Sequence, residues 1–151
     1  MNPLNSKQIA VWKKILLPGG EVIALANTYA DGSYLSLHDI NHNVFRLNAR
    51  GEVVWQVRRD DSNHPPDWWD ILHRQARERG RDGAREPFMY MTVVHADGYV
   101  DRNPDNRMPK DVQTWVPNST IVLDGSAYQV YELDPDTGVA KNVTKWPVRP
   151  W

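Results

Sequence analysis

Val44-Phe45-Arg46-Leu47-Asn48-Ala49-Arg50-Gly51-Glu52-Val53-Val54-Trp55-Gln56-Val57 is the stretch that decides the fold. Phe45 and Leu47 alternate with polar neighbours. Ala49-Arg50-Gly51 interrupts them, and Val53, Trp55 and Val57 alternate again. A period of two is the signature of strands with one buried face, so the stretch reads as strand, tight turn, strand. Trp55 lies between two valines of its own parity and is the expected core anchor. The pattern returns at 130–143, which implies two similar β-sheet units.

Upstream, residues 21–26 alternate, Asp31-Gly32 marks a hairpin turn, 34–37 resumes a strand, and 39–43 is a polar loop. Ile9, Trp12, Ile15 and Leu16 fit a helical stripe, while 14–17 ahead of Pro18-Gly19-Gly20 equally suits a strand. This segment is expected to be a short helix or turn leading into a strand. Downstream, 67–79 reads as a helix with Asp67 as cap, Trp68, Trp69, Leu72 and Ala76 as its apolar stripe, an Asp70–Arg74 pair, and Gly80 as its stop. Strands follow at 88–95, 113–116, 119–123, 128–133 and 139–144, with a long polar loop at 101–111. The two prolines in the tail from Trp146 to Trp151 keep it out of a central strand. The predicted fold is mainly β: two antiparallel β-sheet units, blade-like or sandwich, with one inserted α-helix near 67–79. A single domain, 1–151, would hold units at about 21–58 and 88–144 and the helical insertion at 60–87.

At an offset of 86, Tyr34–Asn48 overlays Thr120–Asp134 without a gap. Leu37, Val44 and Leu47 meet Leu123, Val130 and Leu133, and Phe45 meets Tyr131. Parity is kept, so equivalent faces would be buried. In these residues the chain resembles blade repeats of quinoprotein-type β-propellers. Val130-Tyr131-Glu132-Leu133-Asp134 with Gly138 is similar to the first half of that motif, and Val53-Val54-Trp55-Gln56-Val57 to the second. The resemblance implies a four-stranded antiparallel sheet used twice. A closed propeller needs at least about four blades, so the chemistry of full propellers does not carry over.

With 151 residues, 40% apolar and 25% charged, the chain can bury a core. Its formal net charge of −1 argues against a bulk polyelectrolyte partner. It has no cysteine, which excludes disulfides and thiolate metal sites. No signal-peptide pattern or long apolar run is present, so a cytoplasmic protein without a membrane partner is expected.

No segment supplies a catalytic, cofactor or metal signature. His38-Asp39-Ile40-Asn41-His42 offers two imidazoles and a carboxylate, but reads as a loop without the helical i,i+4 geometry a metal would use. Asp101, Asn103 and Asp105 start like a calcium loop, yet Asn106 and Val112 stand where Gly and Glu are needed. Asp60-Asp61 and Asp134-Pro135-Asp136-Thr137-Gly138 read as turns. Between 73 and 85, Arg74, Arg77, Arg79, Arg81 and Arg85 face only Glu78 and Asp82, a local balance of +3. Such a segment is either a solvated face or a recognition patch for acidic groups. Asp124, Glu132, Asp134 and Asp136 form a separate acidic stretch.

The function expected by elimination is a non-enzymatic protein-binding or accessory factor. It would be an inhibitor, immunity-type protein or assembly component of bacterial or phage kind, using Arg74, Arg77, Arg81 and Arg85 against an acidic protein surface. A nucleic-acid backbone is the rival partner. Trp115, Trp146 and Trp151 could instead stack on sugars in a carbohydrate-binding module. A small hydrolase using His38 or His95 with an aspartate is the third reading.

Overall fold

The alternating stretch at 44–57 forms the hairpin of β3 (Val44–Leu47) and β4 (Val53–Gln56), and the stretch at 130–143 forms β9 (Val130–Leu133) and β10 (Val139–Asn142). The computed structural model describes residues 10–28 and 35–145. The two hairpins share one register. Phe45 pairs with Gln56 as Tyr131 pairs with Asn142, 86 residues on, and Arg46 with Trp55 as Glu132 with Lys141. The Val57 N–H donates to Val44 O as the Val143 N–H does to Val130 O. A register shift between the Arg46–Trp55 and Leu47–Val53 pairs is the main departure.

The other strands are β1 (Val11–Leu16), β2 (Val22–Ala26), β5 (Arg58–Asp60), β6 (Phe88–Val94), β7 (Val112–Thr114) and β8 (Thr120–Gly125). Two five-stranded sheets result, in the orders β4-β3-β2-β1-β7 and β5-β10-β9-β8-β6. Each contains a four-stranded antiparallel run. The sheets are mixed rather than purely antiparallel: β7 lies parallel to β1, and β5 parallel to β10. The cause is an exchange of edge strands. The chain leaves the first sheet at Val57 to place β5 on the second, and β7 returns from the second half to the first. Parallel neighbours need such crossovers rather than tight turns.

Three local expectations give way. Residues 11–16 are strand, not helix or turn, because hydrogen bonding to β2 and β7 on both sides outweighs a short apolar stripe. Residues 35–36 are not strand, and α1 (Leu37–Asn41) follows them, capped by Ser36, whose hydroxyl accepts from the Asp39 N–H at 3.1 Å. The gapless overlay therefore holds for the hairpins but not upstream, where α1 stands opposite β8 in the alignment. The helix α2 (Trp68–Glu78) forms as expected, and Gly80 ends it at φ +82°. Asp67 makes no side-chain cap, because the chain enters through a turn in which the Trp68 N–H donates to Pro65 O. Among the described residues no helix is long and apolar enough to cross a membrane.

Both sheets close on one core. Ile15, Ile23, Leu25 and Val44 come from the first, and Phe88, Met91, Val93, Ile121, Leu123 and Tyr131 from the second. Burying such side chains stabilises by about 1.5–3 kcal/mol each. Two buried amides weld the layers. Asn43 accepts from the Phe88 N–H and donates to Phe88 O and Ala26 O. Gln113 accepts from the Val93 N–H and donates to Met91 O. The outer edge of β6 is thus satisfied by side chains, which keeps it from pairing with another chain. Trp55 is a clasp between hairpins rather than a fully buried anchor. It is half-buried, its Nε1 donates to Pro135 O at 2.9 Å, and its ring lies flush against Gly138.

Candidate functional site: the cleft between the two helices

Continuing the alternation of Val53, Trp55 and Val57 by two steps reaches Arg59 and Asp61. The same parity that buries Val57 carries these two charged residues inward. Their side chains are 4% and 8% exposed. A buried charge must be paired and hydrogen-bonded to be tolerated, and Arg59 is both. Its Nη1 donates to Asn41 O at 2.9 Å and to Glu86 O at 2.6 Å, and its Nη2 to the Tyr131 hydroxyl at 2.9 Å. The Tyr131 hydroxyl donates onward to Asp61 Oδ1 at 2.6 Å. Asp61 also accepts from Asn142 Nδ2 and from Trp69 Nε1, both at 2.8 Å. The guanidinium lies over the rings of Phe88 at 4.4 Å, Trp69 at 4.9 Å and Tyr131 at 5.0 Å. Arg59 Nε has no hydrogen-bond partner among the described residues and sits 3.8 Å from Asp61 Oδ2.

Burial holds the Tyr131 hydroxyl protonated, with its pKa far above the ordinary range. It can therefore accept from Arg59 while donating to Asp61. Burial also raises Glu86, partly offset by the Arg59 charge, and Glu86 accepts from the Ser126 hydroxyl. The network runs on through Asn142 and Gln129 to His64, which stacks on Trp68 at 3.8 Å. Trp68 and Trp69 are thus points at which α2 is held, and α2 buries no residue completely.

Arg59 is the floor of two clefts separated by Trp69. The first, of about 400 Å³, lies between the helices: Leu37, His38, Asn41 and His42 come from α1 and its end, Trp69 and His73 from α2. The second, also about 400 Å³, is formed by Asp61, His64, Pro65, Pro66 and Trp68 with the same Arg59 and Trp69. Gly83 packs closely against two of the lining residues, Leu37 and His73. A Cβ there would stand 2.5 Å from Leu37 Cδ2 and 2.9 Å from His73 Nδ1.

His38 and His42 correct the loop expectation. His38 lies on α1 and His42 at its C-terminal end, four residues on, with rings stacked at 4.0 Å. The His42 Nδ1 donates to His38 O at 2.6 Å, which leaves Nε2 as the acceptor of the neutral ring. Burial lowers the His42 pKa, and the charges of His38 and Arg59 push the same way, against the His38 carbonyl and Asp39. His73 Nδ1 accepts from the Ala84 N–H at 3.0 Å, so its Nε2 carries the proton of the neutral ring. Among the described residues no carboxylate lines this cleft. Among the described residues no three His, Cys, Asp or Glu side chains are grouped to hold a metal ion.

The remaining candidates are placed as follows. Arg74, Arg77, Arg79 and Arg81 are exposed and make no ion pair among the described residues, while Arg85 pairs with Asp82 at 3.0 Å. The Asp70–Arg74 pair does not form. Arg46, not an α2 arginine, reaches the acidic stretch, at 3.6 Å from Asp136. Trp115 is packed partly buried against the core, and its Nε1 has no hydrogen-bond partner among the described residues. Trp146 and Trp151 lie outside the described residues. Asp101 pairs with Lys110, and Asp134 caps its own turn by accepting from the Asp136 N–H. Ser119 Oγ lies 3.4 Å from His95 Nδ1, whose ring stacks on Tyr99.

Arg59, Asp61 and His73 are the members that sequence motifs miss, and parity along β4 and β5 was the signal for the first two. Comparison with protein-family models, curated proteins and solved structures finds no match.

Proposed function

We propose that the protein is a non-enzymatic binding factor that docks an acidic protein surface through α2 and the connector after it. The observation carrying this reading is a helix of eleven residues that buries none of them completely, with Arg74, Arg77 and Arg81 exposed and unpaired among the described residues. The helix is held to the body chiefly through Trp68 and Trp69, and among the described residues its cationic face pairs with nothing in the chain. Arginine forks suit carboxylates, and exposed charge steers encounter more than it stabilises a fold. The network around Arg59 supplies the rigidity such a surface needs, by fixing Trp69 from below.

The test is the triple variant Arg74→Glu, Arg77→Glu, Arg81→Glu. Proteins captured from the native host by the wild type are identified, purified and titrated against both forms. The expected result is an unchanged melting temperature, a loss of about tenfold or more in affinity, and a wild-type affinity that falls with salt. A folded triple variant that binds equally well refutes the reading. Capture of nucleic acid instead of an acidic protein replaces the partner class with the rival one.

A further inference from the structure

We propose that the cleft between α1 and α2 binds a small aromatic carboxylate, independently of the arginine face of α2. Among the described residues the lining carries the cationic end of the Arg59–Asp61 pair and three imidazoles, His38, His42 and His73, and no carboxylate. Asp61, the nearest counter-charge of Arg59, contributes to the second cleft and not to this one. Leu37 and the Trp69 indole supply apolar wall. A volume of about 400 Å³ lies in the range of small-molecule sites and suits a molecule of one or two rings.

The donor geometry selects the anion. The Arg59 Nη groups already donate to Asn41 O, Glu86 O and the Tyr131 hydroxyl. Arg59 therefore offers its field rather than an open bidentate edge, which disfavours phosphate. His73 is held with Nδ1 accepting from Ala84, so its Nε2–H is the spare donor. One such donor, backed by a buried guanidinium, matches a singly charged carboxylate. A metal ion is disfavoured by the same charge, and by imidazoles stacked at 4.0 Å rather than converging on a point. A neutral ring would fill the apolar wall and leave the positive field unused.

The test uses the full chain with labelled histidine and tryptophan, titrated with sodium benzoate and sodium indole-3-acetate. Benzyl alcohol, inorganic phosphate and sodium chloride at matched ionic strength are the controls. The expected result is saturable shifts of the His38, His42 and His73 ring signals and of the Trp69 indole N–H. Binding should be about tenfold or more tighter than for benzyl alcohol or phosphate. His38→Glu places a carboxylate at an exposed position of the lining and should weaken benzoate by about tenfold with the fold intact. If neither acid gives saturable shifts, if the controls match them, or if His38→Glu binds as well as wild type, the proposal fails. The triple arginine variant should keep benzoate binding, and His38→Glu should keep binding to the acidic protein, so each reading fails separately.

Discussion

Replacing Arg59 with Leu removes the one buried cation at the crossing from β4 to β5. The guanidinium satisfies two main-chain carbonyls and the Tyr131 hydroxyl, and it is the charge nearest to Asp61. Its loss leaves a carboxylate that is 8% exposed without its partner. Breaking a buried pair from one side costs about 3–5 kcal/mol. The orphaned acceptors overlap with that figure, so a total near ~4 kcal/mol is the working estimate. For a chain of this length each kcal/mol lowers the melting temperature by about 2–4 °C, which gives a drop of about 8–16 °C. The assay is urea denaturation of Arg59→Leu, Asp61→Asn and the double variant, with midpoints and slopes fitted together. Because the double variant leaves neither charge alone, it should be more stable than the summed single effects by about 1 kcal/mol or more. A loss below about 1 kcal/mol for Arg59→Leu, or effects that add within about 0.5 kcal/mol, would falsify the coupling and make the guanidinium a solvated group.

Gly138→Ala should destabilise by about 2–4 kcal/mol. Its Cβ would meet Trp55 Cδ2 at 2.6 Å in a backbone at φ +78°, so both crowding and left-handed strain apply. Repeating the change in Trp55→Ala should recover the crowding part, and equal costs in both backgrounds would refute the clasp. The β8–β9 turn holds Ala127 and Tyr128 at φ +57° and +62° with Tyr128 88% exposed. Ala127→Asn with Tyr128→Gly should therefore raise stability by about 1–2 kcal/mol in thermal unfolding, and a destabilised variant would contradict the turn geometry. Asp124 has its pKa raised by burial, so the folded state holds that proton more tightly than the unfolded state. Stability is therefore lost as pH rises from the unfolded value through the folded one. Asp124→Asn should melt higher than wild type at pH 7, with the advantage fading as pH falls towards about 4, near the unfolded aspartate value. A constant difference across that range would show that burial is not the cause.

The parts of the fold that sequence made legible are those held by local rules. β3–β4 and β9–β10 are hairpins, in which a turn and an alternating pattern together fix register, and the 86-residue offset holds in both. The helix α2 was visible from its stripe and from Gly80, although Asp67 does not cap it. What stayed hidden depends on partners far along the chain. Asn43 and Gln113 look like loop or surface amides until β6 arrives 45 and 20 residues away. The parallel placements of β5 and β7 follow from crossovers that no local period encodes. α1 is five residues long, too short for a stripe, and only the Ser36 cap betrays it.

Arg59 and Asp61 show why the candidate site is not legible in local sequence patterning. Their parity was readable, since it continues from Val53 through Val57, but hydrophobic patterning treats a charged residue as evidence that a strand face has turned to solvent. Here the face does not turn. The chain passes from one sheet to the other at Val57, and the next two inward positions fall where the sheets, α1 and α2 meet. A nonpolar pair there would suit a core. The charged pair instead requires acceptors from Asn41, Glu86 and Tyr131 for Arg59 and donors from Tyr131 and Trp69 for Asp61, which come from four separate parts of the chain, and it orders them around the floor of a cleft. The strand exchange that sequence rules cannot see is therefore the same feature that creates the site. A binding function placed there draws its geometry from the join between the sheets rather than from any single motif.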